Sequence, residues 1–199
     1  MKPIRHNRRD DEAVLDAARD CVLAVGVRRT TLTDVARRAG VSRMTIYRRW
    51  PDVRTLVGDV MTREWVSVTL GDTPTTDTTR PVREQLVDGL VAGLRAFRSH
   101  PLLCKILDVD PELLLPYLFD RRGASQDALL AFVQEALEQG HKDGSVRADH
   151  PTRQARSLFL VIQSFALSLQ TMSDAADPEL ADEVFYDELR HILERTLAP

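Results

Sequence analysis

Apolar positions fall at helical rather than strand spacing along most of the chain. Ala13, Val14, Ala17, Ala18, Cys21, Val22 and Val25 make one stripe of about four turns. Asp10, Asp11 and Glu12 are expected at the start of that helix, where the helix dipole favours negative charge, and Gly26 at its end. A second helix is expected from Thr31, which has capping-box spacing to Asp34. Val35, Ala36 and Ala39 share one side of it, and Gly40 stops it. Ser42 then caps a third helix running through Met44, Ile46 and Tyr47, with Met44 and Ile46 nearer its packed side. Pro51 limits it, because the residue before a proline avoids helical angles. Asp52 caps a fourth helix with the stripe Val53, Leu56, Val57, Val60, Met61, Trp65 and Val68.

The stretch GDTPTTDTTR, residues 71–80, has five threonines and no large apolar residue, so it reads as a loop. Leu86, Leu90, Leu94 and Phe97 define the next helix, expected to end at His100-Pro101. PLLCKILDVDPELLLPYLF reads as a broken helix, with Asp110 capping, Pro111 opening the second piece and Pro116 interrupting it. Leu129, Phe132, Val133, Ala136 and Leu137 mark a helix closed by Gly140. Residues 152–172 are apolar on more than one side, and Asp177-Pro178-Glu179 is expected to start the last helix. The whole is an all-α fold of about nine helices, with no internal repeat.

Composition and charge add a direction to this picture. Of 199 residues, 43% are hydrophobic and 29% charged, the balance of a globular protein with a sizeable core. No apolar run approaches the roughly 18 residues of a membrane span, and the basic N-terminus lacks the apolar core of a secretory leader. Cys21 and Cys104 sit among apolar residues and suit reduced core thiols, which points to the cytoplasm. The net charge of −3 hides an asymmetry: residues 1–70 hold 14 Lys/Arg against 9 Asp/Glu, and residues 71–199 hold 13 against 21. A basic front suits a polyanionic partner.

The basic front contains the motif that carries chemistry. Two short helices joined at Ala39-Gly40-Val41 fit the helix-turn-helix plan. The second would present Arg43, Thr45, Tyr47 and Arg48 outward. Arginine can bond guanine bidentately, and threonine can touch a thymine methyl or a phosphate. Tyr47 and Arg49 can hold phosphate oxygens, which sets register without reading sequence. Arg37 and Arg38 suit either the interface or a solvated face, and Arg5, Arg8 and Arg9 either a minor-groove arm or a solubilising tail.

The first 70 residues resemble the DNA-binding domain of the tetracycline-repressor (TetR) family. The resemblance rests on the leading helix to Gly26, on TLTDVARRAGVSRMTIYRRW and on PDVRTLV, and covers about a third of the chain. It implies base-facing positions at Arg43, Met44, Thr45 and Arg48 and phosphate-binding positions at Thr33, Tyr47 and Arg49. The family often has Phe where Trp50 stands and Lys where Val53 stands; Arg54, one position later, is the candidate for that phosphate contact.

The resemblance further implies a DNA-binding domain at residues 1–52 and an effector-binding and dimerisation domain at 53–199, with helix 53–70 connecting them. It implies a small-molecule pocket, with Trp65, Phe97, Leu103, Tyr117, Phe132, Phe159 and Gln163 as candidate lining. That set favours an apolar or aromatic effector. A homodimer through the last two helices would read a palindromic operator on double-stranded DNA. His100, His141 and His150 lack metal-ligand spacing, and no cofactor is expected. Neither a phosphate loop, HExxH nor G-x-S-x-G occurs, so an enzyme is not expected. The reading is a ligand-released dimeric repressor; the alternative is an effector-independent helix-turn-helix activator or DNA-organising protein.

Overall fold

A computed structural model describes residues 4–70, 77 and 79–199, with the side chains of 4–9 and 70 outside that description. The expected tail of Arg5, Arg8 and Arg9 and most of the loop at 71–80 therefore lie outside the described residues. Within them the chain is all-helical, with ten α-helices and no strand.

By its contacts the chain forms two compact units, each discontinuous in sequence. The first comprises residues 1–65 and 99–125, the second 66–98 and 126–199. The functional division expected at residue 52 is a separate matter.

In the first unit, α1 (Ile4–Val25) contacts α2 (Leu32–Ala39) and α6 (Pro101–Val109), and α2 contacts α3 (Arg43–Arg49). Helix α4 (Val53–Leu70) begins in this unit, and the short α7 (Leu115–Phe119) lies at its end. Helix α1 starts six residues before Asp10, so Asp10–Glu12 do not form its first turn as expected. Two of those acids meet cations instead: Asp11 lies 3.7 Å from Arg49, and Glu12 3.2 Å from Arg63. The stripe on α1 buries Val14, Ala17, Ala18 and Val22. Leu32, Val35, Ala36, Ile46, Trp50, Leu56, Val57 and Val60 are buried from the elements that follow. Pro116 opens α7 rather than interrupting a helix, consistent with the tolerance of proline in a first turn. Cys104 is exposed and Cys21 half-buried, so neither thiol is the core residue expected; neither is in a disulfide, and burial pushes the Cys21 thiol up.

The second unit holds α5 (Val82–Arg98), α8 (Ala124–Lys142, from Gln126 onward), α9 (Pro151–Ser168) and α10 (Asp182–Leu197). Helix α5 packs on α10 and α9. Leu86, Val87, Leu90, Val91 and Leu94 of α5 meet Leu158 and Ile162 of α9 and Tyr186, Leu189, Leu193 and Leu197 of α10 in one core. Gly140 lies inside α8, not at its end, and is buried where any side chain would strike Val146. The 178–180 segment forms a 3-10 turn, and α10 begins two residues later. The face of α9 away from this core is mixed, not uniformly apolar: Arg153, Arg156, Ser157 and Ser164 are exposed beside Leu160.

Candidate nucleic-acid interface

The turn between α2 and α3 is specified residue by residue. Thr31 Oγ1 accepts the Asp34 N–H at 3.1 Å, which fixes the start of α2. Gly40 ends that helix at φ 69°, a left-handed conformation that glycine enters without steric cost. The Val41 N–H returns to the Ala36 carbonyl at 3.0 Å and the Gly40 N–H to Arg37 at 3.4 Å, the bond pair of a Schellman turn. Ser42 then accepts the Thr45 N–H at 3.1 Å and starts α3.

Helix α3 has seven residues, and Ile46, fully shielded from solvent, is its one buried residue. That anchor turns Met44 and Arg48 to the opposite side, with Arg43 and Tyr47 on its flanks, and all four are exposed. Met44 is 81% exposed, against the expectation that it lies nearer the packed side; it stands one turn from Arg48 on the outward face. Thr45 is half-buried on the flank, with its hydroxyl 2.9 Å from that of Ser42. Thr33 is half-buried on the first turn of α2.

Ion pairing separates the arginines. Arg37 is held by Asp34 at 2.7 Å and Arg38 by Asp20 at 3.0 Å. Arg49 lies 3.7 Å from Asp11 and over the Trp50 ring, 5.7 Å from its centroid. Among the described residues Arg43, Arg48 and Arg54 have no ion pair within 4 Å. Arg54 is exposed on the first turn of α4, whose start is capped by Asp52 accepting the Thr55 N–H at 2.7 Å. That bond holds the Asp52 carboxyl below its ordinary range. Val53 is half-buried beside it.

Two fastenings behind this face have no signal in the sequence. The Trp50 indole N–H donates to Asp59 at 2.8 Å, and the buried Asp110 carboxylate accepts the Val27 N–H at 2.7 Å.

The candidate effector residues do not gather in one unit. Trp65, Leu103 and Tyr117 belong to the first, and Phe97, Phe132, Phe159 and Gln163 to the second. Leu103 is 1% exposed and is a core residue. Phe97 and Phe132 pack against the second unit's core, and Gln163 accepts a bond from Gln126 at 3.3 Å. A small recess of about 90 Å³ lined by Arg147, Asp149, Gln154, Leu158 and Leu197 among others contains none of the seven. No cluster of metal-ligating side chains occurs among the described residues.

A short two-helix unit whose second helix turns basic, unpaired side chains outward defines a helix-turn-helix DNA-binding protein. Residues 14–60 match the family described as bacterial regulatory proteins, tetR family. An uncharacterized HTH-type transcriptional regulator of Mycobacterium bovis is 35% identical over 180 residues, 90% of each chain. The HTH-type transcriptional regulator AqdR of Rhodococcus erythropolis is 43% identical over 63 residues, 31% of this chain and 30% of that one. Among solved structures, the R. erythropolis transcriptional repressor QsdR of the TetR family superposes with a TM-score of 0.69 at 16% identity, covering 99% of this chain and 98% of that one. The SmeT–triclosan complex superposes with a TM-score of 0.62 at 19% identity, covering 96% and 92%. The chain belongs to the tetR family of bacterial regulatory proteins and is a DNA-binding transcriptional regulator. No described helix is long and apolar enough to cross a membrane.

Proposed function

We propose that the protein is a cytoplasmic, homodimeric repressor that leaves a palindromic operator when a small apolar or aromatic effector binds. The observation that carries the reading part of this proposal is the outward face of α3. Arg43 and Arg48 stand exposed and unpaired there, while the arginines around them are held by carboxylates. Free guanidiniums on a helix of this size suit bidentate contact with guanine. Tyr47, Arg49, Thr33 and Arg54 take the phosphates on either side, with Met44 and Thr45 against base edges. Arg49 must exchange Asp11 for a phosphate to do so, a small cost because that pair is long and exposed.

DNA binding belongs to residues 1–52, and effector binding and dimerisation to 53–199. Dimerisation through α9 and α10 is supported by apolar side chains facing away from the core, Leu160 at 65% exposure and Ile192 at 41%. Effector binding is supported by the fold shared with the SmeT–triclosan complex.

The test is selection of bound duplexes from a random pool by the full-length protein. Enrichment of a palindrome with half-sites about one helical turn apart, with affinity falling steeply as salt rises, supports the proposal. A pool that stays unenriched overturns it.

A further inference from the structure

We infer that Asp59 is a positioning residue for DNA reading: its carboxylate, by accepting the Trp50 indole N–H, fixes the direction in which α3 presents its outward face. The inference rests on α3 being the reading helix. Seven residues are too few to keep a helix formed or aimed by their own bonds. Ile46 anchors the middle of α3, and Trp50 anchors its C-terminal end.

Trp50 does so with three groups. Its backbone N–H donates to the Ile46 carbonyl at 2.8 Å and closes the helix. Its ring is buried, at 3% exposure. Its indole N–H reaches Asp59 Oδ2 at 2.8 Å, on the second turn of α4. A phenyl ring could occupy much of the same space but would donate nothing across to α4. The Trp50–Asp59 bond therefore adds a directional tie that ring packing lacks, and it makes the end of α3 follow α4. The Arg49 guanidinium lies over the same ring, so the tie also orders a candidate phosphate contact.

The charge of Asp59 separates this role from that of a merely solvated acid. An extra carboxylate in a DNA-binding unit repels phosphate, so its removal on charge grounds alone strengthens binding to every duplex. As a positioning residue it has the opposite effect on the cognate duplex, because fewer molecules hold α3 in the competent direction.

The experiment compares the affinity of the full-length protein for a duplex it selects from a random pool with that for a scrambled duplex of equal length and composition. Asp59→Ala should lower affinity for the selected duplex about tenfold, the worth of a partly exposed hydrogen bond to a charged group, without lowering it for the scrambled one. Asp59→Asn should bind at least as tightly as the parent, because its amide oxygen can accept the same N–H while the negative charge is gone. Trp50→Phe should reproduce the loss, and the double variant should be no worse than either single one. Parental or tighter binding of the selected duplex by Asp59→Ala, or losses that multiply in the double variant, overturns the inference. If Asp59→Ala fails to fold by circular dichroism, the other two variants decide. An Asp59→Asn that binds as tightly as the parent or tighter, with a weakened Trp50→Phe, supports it, and any other pair of results overturns it. Arg43→Ala measured alongside keeps the two claims apart. A loss there with none at Asp59→Ala removes the positioning role alone, and no loss there removes α3 as the reading helix.

Discussion

Replacing Asp110 with alanine tests how the start of the helix-turn-helix is held. Asp110 lies 83 residues from Val27 in sequence and is 1% exposed. One carboxylate oxygen accepts the Val27 N–H at 2.7 Å; the other lies 3.4 Å from the Arg28 guanidinium. Arg28 also bonds Glu112 at 2.7 Å, so the turn after α1 is fastened twice to the segment after α6. Alanine would leave the N–H of Val27, itself 5% exposed, without its partner. A buried donor left unsatisfied costs about 1–3 kcal/mol. Removing one member of a buried ion pair costs more, about 3–5 kcal/mol, but Arg28 is 71% exposed and returns to water and Glu112. The expected loss is therefore about 2 kcal/mol, or about 4–8 °C in melting temperature for a chain of this size. Both tryptophans, Trp50 and Trp65, lie in the first unit, so their fluorescence reports the transition concerned. Asp110→Asn, which keeps an acceptor, should lose less than half as much. A fluorescence midpoint for Asp110→Ala within a degree of the parent's would show that the Val27–Asp110 bond holds nothing.

Gly40→Ala should cost about 1 kcal/mol by thermal unfolding, because φ is 69° but no atom lies within 4 Å of the added carbon. Gly26→Ala should cost clearly more, since its φ of 81° is joined by contacts at 3.0 Å to Asp110 and Val109; equal losses would refute the steric part of this account. The Asp149 carboxyl is held down to about 2, first by the His150 N–H and then by Arg147 and Arg153. Its folded value lies below the unfolded one of about 4, so the stability it contributes is present above pH 4 and is lost as pH falls through about 2. A carboxyl titration by NMR with its midpoint near 4 would contradict that. Leu160→Arg should shift the protein from dimer to monomer in sedimentation while leaving its melting cooperative, because Leu160 lies outside the core; truncating α10 is a poorer test, since Leu189, Leu193 and Leu197 are core residues.

What the sequence made legible is what neighbouring residues decide among themselves. The caps at Thr31, Ser42 and Asp52 and the turn at Gly40 are local bonds between residues three to five apart, and each is where the pattern places it. The stripe on α1 and the burial of Ile46 follow from the same periodicity. Long-range partners were not legible. An acid such as Asp59 looks like any solvated residue on α4 until Trp50 is folded against it. Asp110 reads as a local cap, yet its carboxylate serves Val27. Met44, apolar, reads as lying nearer the packed side, although the position opposite Ile46 turns it out. Cys104, apolar in its sequence neighbours, falls on the exposed side of α6. Helical spacing does not distinguish core from lining among the candidates for effector contact, and Leu103 turns out to be core.

The central claim is that α3 reads bases through its unpaired arginines while paired arginines serve the backbone. The most direct measurement is the affinity of Arg43→Ala and Arg49→Ala for the selected operator and for each of its single-base variants. Arg43→Ala should lose about 1–3 kcal/mol and stop discriminating at one position in each half-site. Arg49→Ala should weaken binding to every sequence by a similar factor and reduce the salt dependence. Unchanged affinity and sequence preference for Arg43→Ala would contradict the claim.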